Sequence, residues 1–285
     1  MLSNGAFAAS EVLPVLERWS IGISISVDGM QSAHDRVRFT RMLGKREGSW
    51  ASIMNNVAIL KSHGNRPYFL YTITAKNLED VEAFSEHIHG LGCGFRLSLE
   101  RGSRPVDFET QRNTAAYLGQ FYRRLATSMP TNIRFERAAR FAEWNLRSKK
   151  LSACSSCRGY LAIGTDGSAA SCQMRLDEPV GNLAEMPLSE LIKAFGESPA
   201  SQLLAFPERK RGGCTSCEFR HVCAGGCPQH TRNVSGDMDR PSPWCHVYGM
   251  LAPVYVEAAA IHLGRRMSAT NLPRTAAPAA QQLVS

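Results

Sequence analysis

The sequence predicts an α/β fold followed by a cysteine-rich region. Over the first hundred residues, strand-like runs alternate with amphipathic helical runs, the pattern of parallel strands joined by right-handed crossovers. Of nine cysteines, eight fall between Cys154 and Cys245, and only Cys93 lies outside. The 285 residues are 44% hydrophobic and 20% charged, the balance of a folded chain with material for a sizeable core. No apolar run approaches the roughly eighteen residues of a membrane span, and the first twenty residues lack a basic-then-apolar export layout. A cytoplasmic protein with no membrane partner is expected.

The elements follow in order. Residues 21–28 read as a buried strand ended by Gly29, with Asp28 organising the turn. Ser49 is expected to cap a helix that carries Trp50, Ile53, Val57 and Leu60 at three- and four-residue spacing, and Gly64 to stop it. Residues 67–74 form the next strand. Asn77 then caps a helix with Val81, Phe84 and Ile88 on one face, and Gly94–Leu99 is a third strand. Cys93, between two glycines at the start of that strand, reads as a buried, inert thiol.

From residue 106 to 150 the pattern turns helical, with Tyr117, Phe121 and Leu125 on one stretch, Phe141 and Trp144 on another, and Pro130 between them. Further helices are expected over 188–195 and 247–263, and the Ala-, Pro- and Gln-rich residues 268–285 read as a disordered tail. The net charge of +8 raises the question of nucleic acid. The densest basic run, Glu208-Arg209-Lys210-Arg211, is short and lacks interleaved aromatics, so a solvated loop is expected and no nucleic-acid partner.

The cysteines read Cys154-x2-Cys157, Cys172, Cys214-x2-Cys217-x5-Cys223-x3-Cys227 and Cys245. In a chain without an export signal, thiols are more often metal ligands than disulfides. Two sets of four suit tetrahedral zinc or iron–sulfur cubanes, and thiolates alone do not choose between them. Thr165-Asp166-Gly167 is a hairpin turn signal whose flanking strands would carry Cys172 back beside Cys157. Ala224-Gly225-Gly226 would let the backbone wrap tightly and point N–H groups at sulfur.

This spacing resembles the seven-cysteine pattern of the SPASM domain, the C-terminal extension of radical SAM enzymes that modify ribosomally made peptides and proteins. The resemblance covers roughly residues 151–250 and extends upstream. Ser26-Val27-Asp28-Gly29 with His34-Asp35 resembles the fourth-strand signature of the radical SAM barrel, residues 72–77 the end of its fifth strand, and 95–99 its sixth. Leu2-Ser3-Asn4-Gly5 resembles the end of its third. The implied fold is a partial (β/α)6 TIM-like barrel over 1–105, a helical linker over 106–150, and a SPASM domain with a β-hairpin and short helices over 151–250. A C-terminal helix over 251–267 and the tail complete it.

Carried over by position, Cys154, Cys157, Cys172 and Cys227 would hold one auxiliary [4Fe–4S] cluster, and Cys214, Cys217, Cys223 and Cys245 the second. Ser26 and Asn77 would contact S-adenosylmethionine. Sulfatase-maturing members carry an acid after the third ligand; Gln173 stands there and cannot take a proton at neutral pH, so another peptide maturation fits better. The family's S-adenosylmethionine-cleaving cluster needs a Cys-x3-Cys-x2-Cys motif, which the 285 residues do not contain. The resemblance therefore implies an N-terminally truncated and inactive form, the third cluster and S-adenosylmethionine belonging to a full-length one. Implied partners are a precursor peptide or protein and a flavodoxin- or ferredoxin-type electron donor. Two rival readings stand beside this: a non-catalytic iron–sulfur module that binds a peptide or relays electrons, and a zinc-stabilised interaction domain.

Overall fold

A computed structural model describes residues 1–42, 45–131, 135, 140–141, 160–198 and 213–270. Trp144, Cys154, Cys157, the 208–211 run and most of the proposed tail lie outside the described residues.

Five parallel strands make the main sheet: β1 (Leu2–Ser3), β2 (Ser24–Val27), β5 (Tyr68–Ile73), β6 (Gly94–Leu99) and β7 (Arg140–Phe141), hydrogen-bonded in that order. Strand alternation gives the sheet two unlike faces. Ile25, Val27, Phe69, Tyr71, Ile73, Phe95, Leu97 and Leu99 are buried on one. Ser26, Leu70, Thr72, Arg96 and Ser98 lie half-buried on the other.

The apolar face is covered by helices. Phe84 of α4 (Val81–Gly90) meets Phe69, Tyr71 and Phe95 edge-on at 6.2, 4.8 and 5.4 Å. Helix α3 (Trp50–Ser62) buries Trp50, Ile53, Val57 and Leu60, the spacing read in the sequence, and Gly64 ends it at φ +77°. Helix α1 (Ala9–Arg18) buries Leu13 and Leu16. Gly5, at φ +79°, lets the chain leave β1 where a Cβ would stand 2.7 Å from Ile25.

Several expectations are corrected. Ser49 and Asn77 precede their helices but cap neither with their side chains. Asp35, in α2 (Gln31–Val37), performs the first task, its Oδ1 accepting the Trp50 N–H at 2.9 Å. A 3₁₀ turn, Leu78–Asp80, stands between Asn77 and α4. The stretch around Phe141 is a strand, β7, paired with β6, so α5 (Phe108–Ser128) connects two neighbouring parallel strands instead of leading out of the sheet. An antiparallel hairpin, β3 (Phe39–Met42) and β4 (Lys45–Gly48), joins α2 to α3 with no counterpart in the sequence reading.

In the C-terminal half, β8 (Ala162–Ile163) and β9 (Ser168–Ala170) form the expected hairpin, with Gly167 at φ +83° in its turn. β10 (Gly181–Asn182) adds a third strand on β9. Helix α6 (Leu188–Glu197) follows; then come short α7 (Arg220–Cys223) and α8 (Pro228–Ser235).

Helix α9 (Cys245–Thr270) is longer than expected, and by length and average composition alone it could cross a membrane, although His246, Glu257 and His262 interrupt its apolar residues. In the fold it packs along α5, burying Val247, Leu251, Tyr255 and Ala258, with Tyr255 edge-on to Tyr122 at 4.9 Å. Arg265 Nη1 donates to the carbonyls of Ala126 and Met129 at the end of α5, at 2.8 and 3.0 Å.

Candidate functional site

The carboxyl ends of β2, β5 and β6 open on one side of the sheet, the side on which parallel α/β sheets build their sites. Ser26 stands half-buried on the polar face, and its hydroxyl makes no hydrogen bond to the described residues. Asn77 is buried, and backbone groups occupy its amide. Nδ2 donates to Thr72 O at 2.9 Å and Asp28 O at 3.3 Å, and Oδ1 accepts from Thr74 N at 2.7 Å. It ties the end of β2 to the end of β5, so its part here is positional.

The Asp28-Gly29 and His34-Asp35 pairs form one network. The Asp28 N–H donates to His34 Nδ1 at 3.2 Å, which leaves Nε2 protonated and facing Ser49 Oγ at 2.9 Å. Asp28 Oδ2 pairs with Arg38 Nε at 2.5 Å. Burial, ahead of the opposing Asp35 charge, holds the His34 pKa below 6.5. Gly29, at φ +115°, brings the turn so close to α2 and Asp80 that a Cβ would lie 2.7 Å from Ala33.

A cavity of about 390 Å³ lies against these strand ends. Ala75 after β5 and Glu100, Ser103 and Arg104 after β6 line it from the sheet, and His230 and Trp244 close it from the cysteine-rich half. Sequence reasoning missed this group. The one signal that could have found it is a tryptophan directly before a ligand-type cysteine.

A second cavity, of about 270 Å³, gathers one whole predicted cysteine set: Cys214, Cys217, Cys223 and Cys245 all line it. Backbone turns of left-handed conformation build it. Ala224, Gly225 and Gly226 stand at φ +50°, +81° and +72°, and a Cβ on Gly226 would lie 2.7 Å from Ser242 Cβ. The N–H groups of Ala224 and Gly226 donate to the carbonyls of Arg220 and Cys223. Cys245 lines the cavity although the residue has exposed surface, and burial, then the neighbouring Cys223 and Cys217, push its thiol up. Among the described residues no three His, Cys, Asp or Glu side chains converge as tightly as one metal ion requires.

Of the other set, Cys172 and Cys227 are described. Cys172 Sγ accepts the Met174 N–H at 3.4 Å at the head of a 3₁₀ turn, Gln173–Arg175, and Cys227 heads α8. Arg232 of α8 pairs with Glu178 at 2.8 Å, and Glu178 pairs with Arg175, so the two segments are linked. Gln173 accepts a hydrogen bond from the Tyr160 hydroxyl at 3.0 Å.

A parallel sheet with crossover helices, followed by a small antiparallel sheet and cysteine-lined turns, is the fold of the radical SAM/SPASM enzymes, and the resemblance read from the cysteine spacing is borne out at that level. Over 94% of the chain the fold matches anSMEcpe with bound AdoMet at a TM-score of 0.67 and 12% identity, covering 73% of that chain. Over 85% it matches SuiB of Streptococcus suis bound to S-adenosylmethionine at 0.54 and 11%, covering 57% of that chain. In sequence the chain is 21% identical over 269 residues to an AdoMet-dependent heme synthase of Methanosarcina barkeri, spanning 86% of this chain and 73% of that protein. It is 25% identical over 226 residues to the sporulation killing factor maturation protein SkfB of Bacillus subtilis, spanning 75% of this chain and half of SkfB. No family model matches.

Proposed function

We propose that this chain is the substrate-facing sheet and auxiliary-cluster region of a radical SAM maturase that modifies a ribosomally made peptide or protein. The observation that carries this reading is the cavity of about 270 Å³ lined by Cys214, Cys217, Cys223 and Cys245. Four thiolates on one zinc ion stand about 2.3 Å from the metal and leave no void between them. Here the four thiols line a common space without converging as one ion requires, an arrangement that supports a polynuclear iron–sulfur core with one thiolate per iron. The residues present fit such a group, with glycine turns that bring backbone close to it.

Cys154, Cys157, Cys172 and Cys227 are proposed as the ligands of a second cluster; the ion-paired link between the Cys172 turn and α8 supports the last two. Ser26 is proposed as the S-adenosylmethionine contact at the end of β2, with Asn77 holding the β2 and β5 ends in register beside it. When bound, the auxiliary clusters supply one-electron exchange with the substrate side. The chain's own residues shape the 390 Å³ cavity and keep the thiols gathered. SkfB by its name matures a killing factor, and an anSMEcpe structure holds a peptide together with AdoMet; both support a peptide as the substrate class. A reducing compartment and a flavodoxin or ferredoxin as donor fit thiolate-bound iron.

The test is anaerobic reconstitution with iron and sulfide, followed by metal analysis and Mössbauer spectroscopy. Two cubanes require about eight iron and eight sulfide per chain. About two zinc with no acid-labile sulfide would replace this reading with the structural-zinc one.

A further inference from the structure

Three ligands of the four-cysteine cavity, Cys214, Cys217 and Cys223, fall within ten residues, so local backbone turns bring them together. Cys245 arrives 22 residues later, and no short loop sets its position. Its neighbours do. Trp244, 6% exposed, donates its indole N–H to the Glu100 carbonyl just past β6 at 2.7 Å. His246 N–H donates to Gln111 Oε1 at 3.2 Å, and Gln111 Nε2 donates onward to Val106 O at 3.0 Å. The His246 ring lies edge-on to Phe108 at 5.1 Å. The cysteine is thus held between two anchors, both on the segment that follows β6.

The same tryptophan lines the 390 Å³ cavity, and the next residue lines the 270 Å³ cavity. Two residues adjacent in the chain thus face two separate spaces, Trp244 the larger and Cys245 the smaller. A shift of the strand-end segment that moved the Glu100 carbonyl would pull on the indole, and through a single peptide unit on the thiolate.

We propose that Trp244 is a positioning residue for the Cys245 thiolate, and that its indole N–H bond to Glu100 couples the cavity at the carboxyl end of the sheet to the redox centre held by Cys214, Cys217, Cys223 and Cys245. The inference rests on the iron–sulfur reading of those four thiols. It assigns Trp244 no contact with the reacting atoms.

The experiment compares the anaerobically reconstituted wild-type chain with Trp244→Phe, which keeps an aromatic ring and removes the donor. Trp19→Phe, at an exposed tryptophan, is the control. Iron and sulfide content, the EPR spectrum of the dithionite-reduced protein, the midpoint potential and the rate of iron loss to a chelator are read for each. The expected result is unchanged iron content in Trp244→Phe with a shifted EPR signal and potential for one cluster and severalfold faster iron loss, while Trp19→Phe matches wild type. Replacing the indole by 7-azaindole, which retains the N–H, should restore the wild-type signal. If Trp244→Phe fails to fold, benzothienylalanine at the same position, shape-matched with sulfur in place of N–H, gives the decisive comparison. A donor-less chain with wild-type EPR, potential and chelation rate overturns the inference and leaves the cluster reading standing. A wild-type chain that binds no iron defeats the cluster reading itself.

Discussion

His34 shows how one buried side chain makes the fold sensitive to pH. Unfolded, an imidazole titrates near 6.5; folded, burial holds its pKa lower, and Nδ1 is engaged as an acceptor of the Asp28 N–H. Below 6.5 the unfolded chain therefore takes up the proton first. The contribution of His34 is complete above that pH and declines as the pH falls through the window beneath it. Urea midpoints measured between pH 5 and 8 should drop on the acid side, and His34→Asn should flatten that slope. Gly226 makes the second residue-scale case. At φ +72°, with Ser242 Cβ 2.7 Å from where a Cβ would stand, Gly226→Ala pays left-handed strain of about 1–3 kcal/mol and pushes against the wall of the cysteine cavity. Thermal unfolding should register the loss, and iron occupancy after reconstitution should fall with it.

At the scale of elements, α5 and α9 bind the two halves of the chain. Their contact buries Tyr122 against Tyr255, and Arg265 supplies donors to two carbonyls that the end of α5 leaves without helical partners. Arg265→Ala should lower stability by about 1–3 kcal/mol, read as a shift of the denaturant midpoint with an unchanged slope. The half-buried Arg265 acts here through geometry, since its acceptors are carbonyls and no carboxylate is involved. The α2 to α3 corner works in the same way. Asp35 reaches forward to cap α3, which frees Ser49 to hold His34 and the Arg38 carbonyl. The sequence-based assignment of the cap to Ser49 failed because the competing acceptor lies fourteen residues upstream and only the hairpin between them brings it back.

For the whole molecule, the core of Phe69, Tyr71, Phe84 and Phe95 and their neighbours belongs to the sheet half, whereas the cysteine turns have few large buried side chains of their own. Stripping metal from the anaerobic protein should therefore act regionally. Hydrogen exchange should rise sharply over residues 213–245 and stay slow in β2, β5 and β6; uniform loss of protection would mean that the two halves unfold together. Loading should reverse the pattern, since ligands that bind only the folded turns stabilise them.

Much of this was legible in the chain itself. The alternation of Ile25 and Val27, of Phe69, Tyr71 and Ile73, and of Phe95, Leu97 and Leu99 marks strands because side chains in a strand repeat every second residue. The glycines at 29, 64 and 167 mark turns because they alone enter positive φ without cost. The cysteine spacing carried the resemblance to the radical SAM/SPASM fold, and the ligand sets that resemblance implies stand as part of the proposal. Tertiary structure alone decided that Phe141 belongs to a fifth strand, since a two-residue strand has no period to read. It also decided that Asn77 is a crosspiece between strand ends, and that Trp244 lines one cavity while the next residue, Cys245, lines another. In each case the partner is remote in the chain, and no local pattern encodes a hydrogen bond whose acceptor lies 144 residues away.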